Sequence, residues 1–188
     1  MLRNASLGTV ALNAGVDSVF GQQPSGLPSI DALAAKGTRF LQAYANSAVS
    51  SAIRTALITD RYQYRPPIGW EEPLAPGRNV GWPPDHPTLP SLLKKAGYGT
   101  NLVGKWHLGL LPKFGPLQSG YDHFYGFRGG AVDYYRHANK KDDLWDDDVQ
   151  VHQMGYLTDL LGSRALDVVN GYAKSGVPFL MSLHFNRH

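Results

Sequence analysis

Thr88-Leu89-Pro90-Ser91-Leu92-Leu93-Lys94-Lys95-Ala96-Gly97-Tyr98-Gly99-Thr100-Asn101-Leu102-Val103 contains a helix, its stop and the strand that follows. Threonine caps a helix start by accepting a backbone N–H, and glycine ends one by adopting a left-handed conformation. Between Thr88 and Gly97, the residues Leu89, Leu92, Leu93 and Ala96 recur at helical spacing and predict a buried stripe. From Tyr98 to Val103 the chain changes to an extended run. A helix closed by glycine and followed at once by a strand is the unit from which layered α/β domains are built.

The unit recurs on both sides. Pro28 just inside a start, then Ile30, Leu33 and Ala34, with Gly37 past the end, predict a short helix, and Thr38 to Ala45 predicts the strand after it. Further along, Tyr156, Leu160, Leu161, Ala165, Val168, Val169 and Tyr172 follow Gly155 with a rhythm of roughly 3.6 residues. Pro178 to His184 is then a compact apolar run of strand type. Residues 65–87, rich in proline and glycine, predict an ordered loop. The expected class is α/β, with a mostly parallel central sheet between helices and functional groups where strands give way to loops. Residues 1–188 are expected to form one domain or part of a larger one.

Composition narrows the partners. The net charge is +3, with Lys and Arg scattered among acids such as Glu71, Glu72, Asp142 and Asp143, so no basic stripe suited to nucleic acid emerges. No apolar run reaches the length of a membrane span. There is no cysteine, which removes disulfides, thiolate metal sites and a cysteine nucleophile. The start, Met1-Leu2-Arg3-Asn4, precedes a stretch from Ala5 to Val16 that Ser6, Gly8, Thr9 and Asn13 interrupt, and it does not read as a secretory signal.

Two stretches carry chemistry. Ser47-Ala48-Val49-Ser50-Ser51-Ala52-Ile53-Arg54-Thr55-Ala56-Leu57-Ile58-Thr59-Asp60-Arg61 places an arginine four residues after Ser50, so on a helix Arg54 reaches back over the first turn. Gly104-Lys105-Trp106-His107-Leu108-Gly109 follows the predicted strand; on an extended segment Lys105 and His107 alternate and point to one side. An anionic ester attacked at its central atom needs a nucleophile, cations for the oxygens and an acid for the leaving group. Ser50, Arg54, Lys105 and His107 are residues of those types. The plainer alternative is a solvated helix arginine and two polar residues at a strand end.

In this order the two stretches resemble the paired signatures of the sulfatases, arylsulfatase-like members of the alkaline phosphatase superfamily. The resemblance continues through Leu27-Pro28-Ser29-Ile30-Asp31, Arg61-Tyr62, Gly120-Tyr121-Asp122, Asp133-Tyr134-Tyr135 and Tyr156-Leu157-Thr158-Asp159. It covers nearly the whole chain from about Gly21. It implies an alkaline-phosphatase-like layered domain, here the N-terminal catalytic part and incomplete at the C-terminus. The activity it implies is sulfuric ester hydrolysis of a small-molecule or glycan sulfate ester. By the same resemblance a serine-directed maturation enzyme converts Ser50 to formylglycine, whose hydrate attacks sulfur with one hydroxyl and expels sulfate with the other. Arg54 would hold the diol or a metal-bound oxygen, Lys105 the sulfate oxygens, and His107 the diol or substrate and its proton. His188 falls near the family's late histidine and is the candidate acid and substrate contact, while His184 reads as a strand residue. Asp133 and His137, beside Tyr134 and Tyr135, are candidates for a substrate pocket, with a packed tyrosine loop as the alternative.

Family members also hold one divalent cation, usually Ca2+, with an acidic pair after the first strand, the formylglycine itself and a distal Asp-Asn pair, a hard-oxygen set. The first strand would be Leu7 to Leu12, yet no adjacent acidic pair precedes Asp31, and Asp17 is the sole acid there. Residue 50 as formylglycine is thus the one metal ligand that the sequence offers, and the acidic ligands are not found. Asp60 stands where the family's turn has glycine, and Ile53 where it has a small polar residue. Two other readings accompany the first: a catalytically silent sulfatase-like fragment, and a phosphate or phosphonate ester hydrolase using unmodified Ser50. Many bacterial relatives are periplasmic or secreted; the sequence leaves this chain's localisation open.

Overall fold

The computed structural model describes residues 28–186 apart from Arg39, Leu41, Ala43, Glu72 and Pro76. The chain divides into two units, one up to Tyr44 and one from Ala45 onward. The expected first strand, Asp17 and His188 lie outside the described residues.

In the first unit, helix α1 (Pro28–Lys36) forms where the sequence places it. Proline at its first position forfeits an N–H that has no helical acceptor anyway, and Asp31 and Lys36 sit at the ends that suit their charges. The strand expected over Thr38–Ala45 is not formed: its described residues are irregular, and Phe40 and Tyr44 are 71% and 85% exposed. Aromatic residues favour strands through the neighbours they pack on, and these two lack a buried face.

The second unit contains α2 (Ser50–Thr59), a 3-10 turn (Pro67–Trp70), α3 (Leu89–Lys95), β1 (Gly99–Lys105) and β2 (His123–Phe127). The short strands β3 (Ala138–Asn139), β4 (Lys141–Asp142), β5 (Trp145–Asp146) and β6 (Val149–Gln150) follow, then α4 (Leu157–Ser175) and β7 (Phe179–His184). One sheet runs β6-β5-β2-β1-β7. Its centre is parallel, β1 pairing with β2 and with β7, whereas β5 and β6 join as an antiparallel edge. The sheet is therefore parallel where the chemistry-bearing strand ends lie.

Alternation along the strands divides the core into two layers. Leu102 and Phe124 pack with Ile58 of α2, Ile68, Trp82, Trp106 and Tyr121 on one face. Val103, Tyr125 and Phe127 pack with Leu157 and Leu161 of α4 on the other. Burial of each large side chain contributes about 1.5–3 kcal/mol, so helices on both faces hold the three parallel strands in place.

Helix α3 shows both what the opening stretch predicts and where it errs. Thr88 Oγ1 accepts from Ser91 N–H at 3.2 Å and Ser91 Oγ accepts from Thr88 N–H at 2.8 Å, a reciprocal cap. At the far end Gly97, φ +85°, lets its N–H reach Lys94 O and the Tyr98 N–H reach Leu93 O, both at 3.0 Å. The predicted apolar stripe, however, is not buried: Leu89 and Leu92 are 44% and 54% exposed. This two-turn helix is anchored by its first turn, where Pro90 is buried and Thr88 Oγ1 donates to Ser119 O at 2.6 Å.

Two adjacent positions in one row of the sheet have no side chain. Gly104 lies opposite Gly126 on β2 and His184 on β7. A Cβ on Gly104, which has φ +109°, would lie 1.9 Å from His184 O, and a Cβ on Gly126 would lie 2.1 Å from Gly104 O. Glycine is required there because the backbones occupy the space a methyl would need.

Candidate active site

Ser50 opens α2, with Val49 extended before it. Ser51, fully buried, fastens this helix start to the loop after it: its hydroxyl donates to Glu71 O at 2.9 Å and accepts from Leu74 N–H at 3.0 Å. At the other end Asp60 is left-handed, φ +52°, which is the physical reason glycine suits that turn and an aspartate is tolerated.

The four-residue spacing does what the sequence predicts. Arg54 Nε donates to Ser50 Oγ at 3.2 Å, and the same guanidinium crosses to the sheet, where its Nη1 donates to Lys105 O at 3.1 Å. Burial lowers Arg54 to about 10, so it stays charged at neutral pH.

Lys105 ends β1, and His107 follows it by leaving the strand. The expectation that an extended segment aligns the two is corrected here: His107 has φ +59°. The left-handed turn swings its imidazole to Ser50, Nδ1 lying 3.1 Å from Oγ, while Nε2 lies 3.1 Å from Leu74 O. A carbonyl only accepts, so Nε2 carries the proton and Nδ1 is the acceptor that faces the serine hydroxyl. Burial and then Lys105 hold His107 down at about 4, which keeps it neutral. Burial, then Arg54, lower Lys105 to about 8.

A fifth group joins these four. His184, the last residue of β7, brings Nδ1 to 2.7 Å from Arg54 Nη1 and 3.0 Å from Lys105 O. Its signal was available: it is the polar residue that ends an apolar parallel strand beside β1.

Asp133 and His137 join a different structure. The Asp133 carboxylate is exposed and accepts from the N–H groups of Tyr135 and Arg136, at 2.9 and 2.7 Å, so it closes a turn and these bonds hold its pKa down. His137 is buried with Nε2 3.0 Å from Gly155 O. Tyr134 stacks on Tyr156 at 5.3 Å and donates to Asn186 O at 3.1 Å, tying this loop to the segment after β7. The packed-tyrosine alternative describes the contacts of these residues, and none of those contacts reaches Ser50.

Arg54 and His107 thus contact the Ser50 hydroxyl, His184 contacts Arg54, and Lys105 adds a second cation whose charge is felt by Arg54 and His107. Among the described residues no carboxylate pairs with Arg54 or Lys105. Among them, too, no three His, Cys, Asp or Glu side chains cluster as a metal would require. The described donors around Ser50, an arginine and an imidazole, do not by themselves make the set of six or more oxygens that a calcium ion takes. Arg54 suits an anion.

Comparison with known proteins agrees. A family model described as Sulfatase matches residues 13–188. The chain belongs to the sulfatase family. It is similar to human N-acetylgalactosamine-6-sulfatase, 39% identical over 116 residues that make up 57% of this chain and 22% of that one. It is likewise similar to N-acetylglucosamine-6-O-sulfatase of Bacteroides thetaiotaomicron, 30% identical over 169 residues, 89% of this chain and 27% of the other. This sulfatase chain therefore spans about a quarter of the length of those relatives.

Among solved structures, Ps i-CgsB in complex with k-i-k-neocarrahexaose superposes with a TM-score of 0.72 at 31% identity, covering 85% of this chain and 39% of that one. BT4656, in complex with its substrate D-glucosamine-2-N,6-O-disulfate, superposes at 0.63 and 29% identity, covering 84% of this chain and 28% of that one. The fold of this sulfatase is accordingly the alkaline-phosphatase-like α/β arrangement. None of its described helices is long and apolar enough to cross a membrane.

Proposed function

We propose that residues 1–188 belong to the catalytic domain of a sulfuric ester hydrolase acting on a glycan or small-molecule sulfate ester, with Ser50 as the reacting residue. The observation that supports this best is the position of Ser50 Oγ, 3.2 Å from Arg54 Nε and 3.1 Å from His107 Nδ1. The relatives named for sulfated amino sugars favour a glycan ester over a simple aryl one.

Oxidised by a serine-directed maturation enzyme and hydrated, residue 50 would supply two geminal hydroxyls, one to attack sulfur and one to release sulfate. Arg54 and Lys105 offset the charge of the sulfate oxygens, and their burial strengthens that attraction. His107 receives a proton at Nδ1, because Leu74 O occupies its other nitrogen. His188 is our candidate donor to the departing alcohol oxygen. No step is assigned to calcium.

The test is intact-mass analysis of protein made in its native host, with turnover of 4-nitrophenyl sulfate measured on the same sample. A deficit of about two mass units at residue 50, from oxidation of an alcohol, together with aryl sulfate hydrolysis supports the proposal. An unmodified serine with no hydrolysis overturns it.

A second reading keeps Ser50 as it is. His107 Nδ1 already accepts from an ordinary serine hydroxyl, which favours direct attack on a phosphate or phosphonate ester. Faster release of 4-nitrophenol from the phosphate than from the sulfate, by protein with unmodified Ser50, would select this reading.

A further inference from the structure

We infer that His184 is a positioning residue that holds Arg54 against Ser50 through a neutral acceptor, leaving the whole guanidinium charge for an incoming sulfate. This rests on reading the site as a sulfate site.

The geometry assigns the role atom by atom. His184 Nδ1 lies between a donor, Arg54 Nη1 at 2.7 Å, and an acceptor, Lys105 O at 3.0 Å; the guanidinium is the closer and can only donate, and it also meets Lys105 O at 3.1 Å, so Nδ1 is the acceptor and the ring proton sits on Nε2. Arg54 is then held by three uncharged atoms: Ser50 Oγ, Lys105 O and His184 Nδ1. The titratable groups coupled to it are Lys105, His107, His184 and Tyr121, none of them an anion; Tyr121 is neutral because burial raises it to about 12.

What occupies the position of His184 decides the charge of the site. A carboxylate there would bind Arg54 more strongly, by a charge-assisted bond, and would cancel the charge that a sulfate needs. An alanine would leave a buried donor unmet and Arg54 free to turn away from Ser50. A neutral imidazole avoids both outcomes. Burial and the adjacent guanidinium keep His184 neutral, down at about 4, so it does not repel the arginine it holds. β7 fixes the ring by backbone pairing, His184 lying opposite Gly104 with no side chain between them.

The experiment titrates inorganic sulfate into the full chain by isothermal calorimetry, for the wild type and for His184→Asn, His184→Ala and His184→Asp, with thermal unfolding of each. Asparagine places a carbonyl oxygen close to the position of Nδ1. His184→Asn is expected to bind within about threefold of the wild type and His184→Ala about tenfold more weakly, the loss of one hydrogen bond to a charged group. His184→Asp is expected to bind about a hundredfold more weakly while unfolding no earlier than His184→Ala, because its carboxylate pairs with Arg54. A purely structural role would make affinity follow the unfolding temperature. Equal affinities in all four proteins, or sulfate binding by His184→Asp as tight as by His184→Asn, would overturn the clamp and leave the sulfate site standing. Absence of sulfate binding by the wild type would overturn both.

Discussion

Ser51→Ala removes one oxygen that touches no candidate site group, and its effect can be worked out from the structure. The Ser51 hydroxyl donates to Glu71 O and accepts from Leu74 N–H, at 2.9 and 3.0 Å, with the serine fully buried. Substitution leaves the buried Leu74 N–H without its acceptor, which costs about 1–3 kcal/mol, and takes a further hydrogen bond of about 1 kcal/mol from Glu71 O. The sum, about 2–3 kcal/mol after partial relaxation, corresponds to a drop of roughly 5–10 °C in Tm for a domain of this size. Thr59→Ala is the control on the same helix: it removes a bond from Thr59 Oγ1 to Thr55 O that a helix barely needs, and should change stability by less than about 0.5 kcal/mol. Urea unfolding followed by circular dichroism measures both. A Ser51→Ala change as small as that of Thr59→Ala would refute the claim that this hydroxyl anchors the helix start to the loop that orients His107.

Arg54→Lys keeps the charge but one amine cannot reproduce the contacts to Ser50, Lys105 O and His184, so sulfate affinity should fall about tenfold or more in a calorimetric titration. Sulfate affinity should also fall as pH rises through about 8, where Lys105 loses its proton, and a flat profile in the wild type would contradict that assignment. His107 and His184 titrate near 4 when folded and at about 6.5 when unfolded, so the unfolded chain takes up more protons between those values; stability from this source is present above about pH 6.5 and lost towards pH 4, which pH-dependent urea midpoints would register. Asp60→Gly, at φ +52°, should raise stability by about 0.5–1 kcal/mol in the same unfolding assay by removing left-handed strain from a residue with a Cβ.

The elements most legible in the sequence were those with their own punctuation. Thr88 and Gly97 marked α3, and Pro28 and Gly37 marked α1, because caps act locally and need no tertiary partner. The strand expected over Thr38–Ala45 was not legible in this way, since a strand exists only through its neighbours. The stripe of Leu89 and Leu92 stays exposed for a related reason: periodicity shows which residues share a face but not whether anything covers it. Ser50 and Arg54 met as their spacing required. His107 reaches Ser50 by a left-handed backbone turn that no alternation rule contains, so the same-side reading of Lys105 and His107 is not what brings it there. Asp133, within a matching segment, caps its own turn, while His184 is the strand residue that the sequence predicts and reaches the arginine as well. Which strand ends gather at one place follows from strand order, and strand order is a long-range property.

The bare row formed by Gly104 and Gly126 acts as a spacer gauge for the chemistry above it. Main-chain atoms in direct contact cannot be adjusted by swapping rotamers, so the gap between the ends of β1 and β7 is fixed to the thickness of a peptide. Any change in the width of this end of the sheet must therefore come from the surrounding loops, because widening the interval between Lys105 and His184 would mean prying apart the strands themselves.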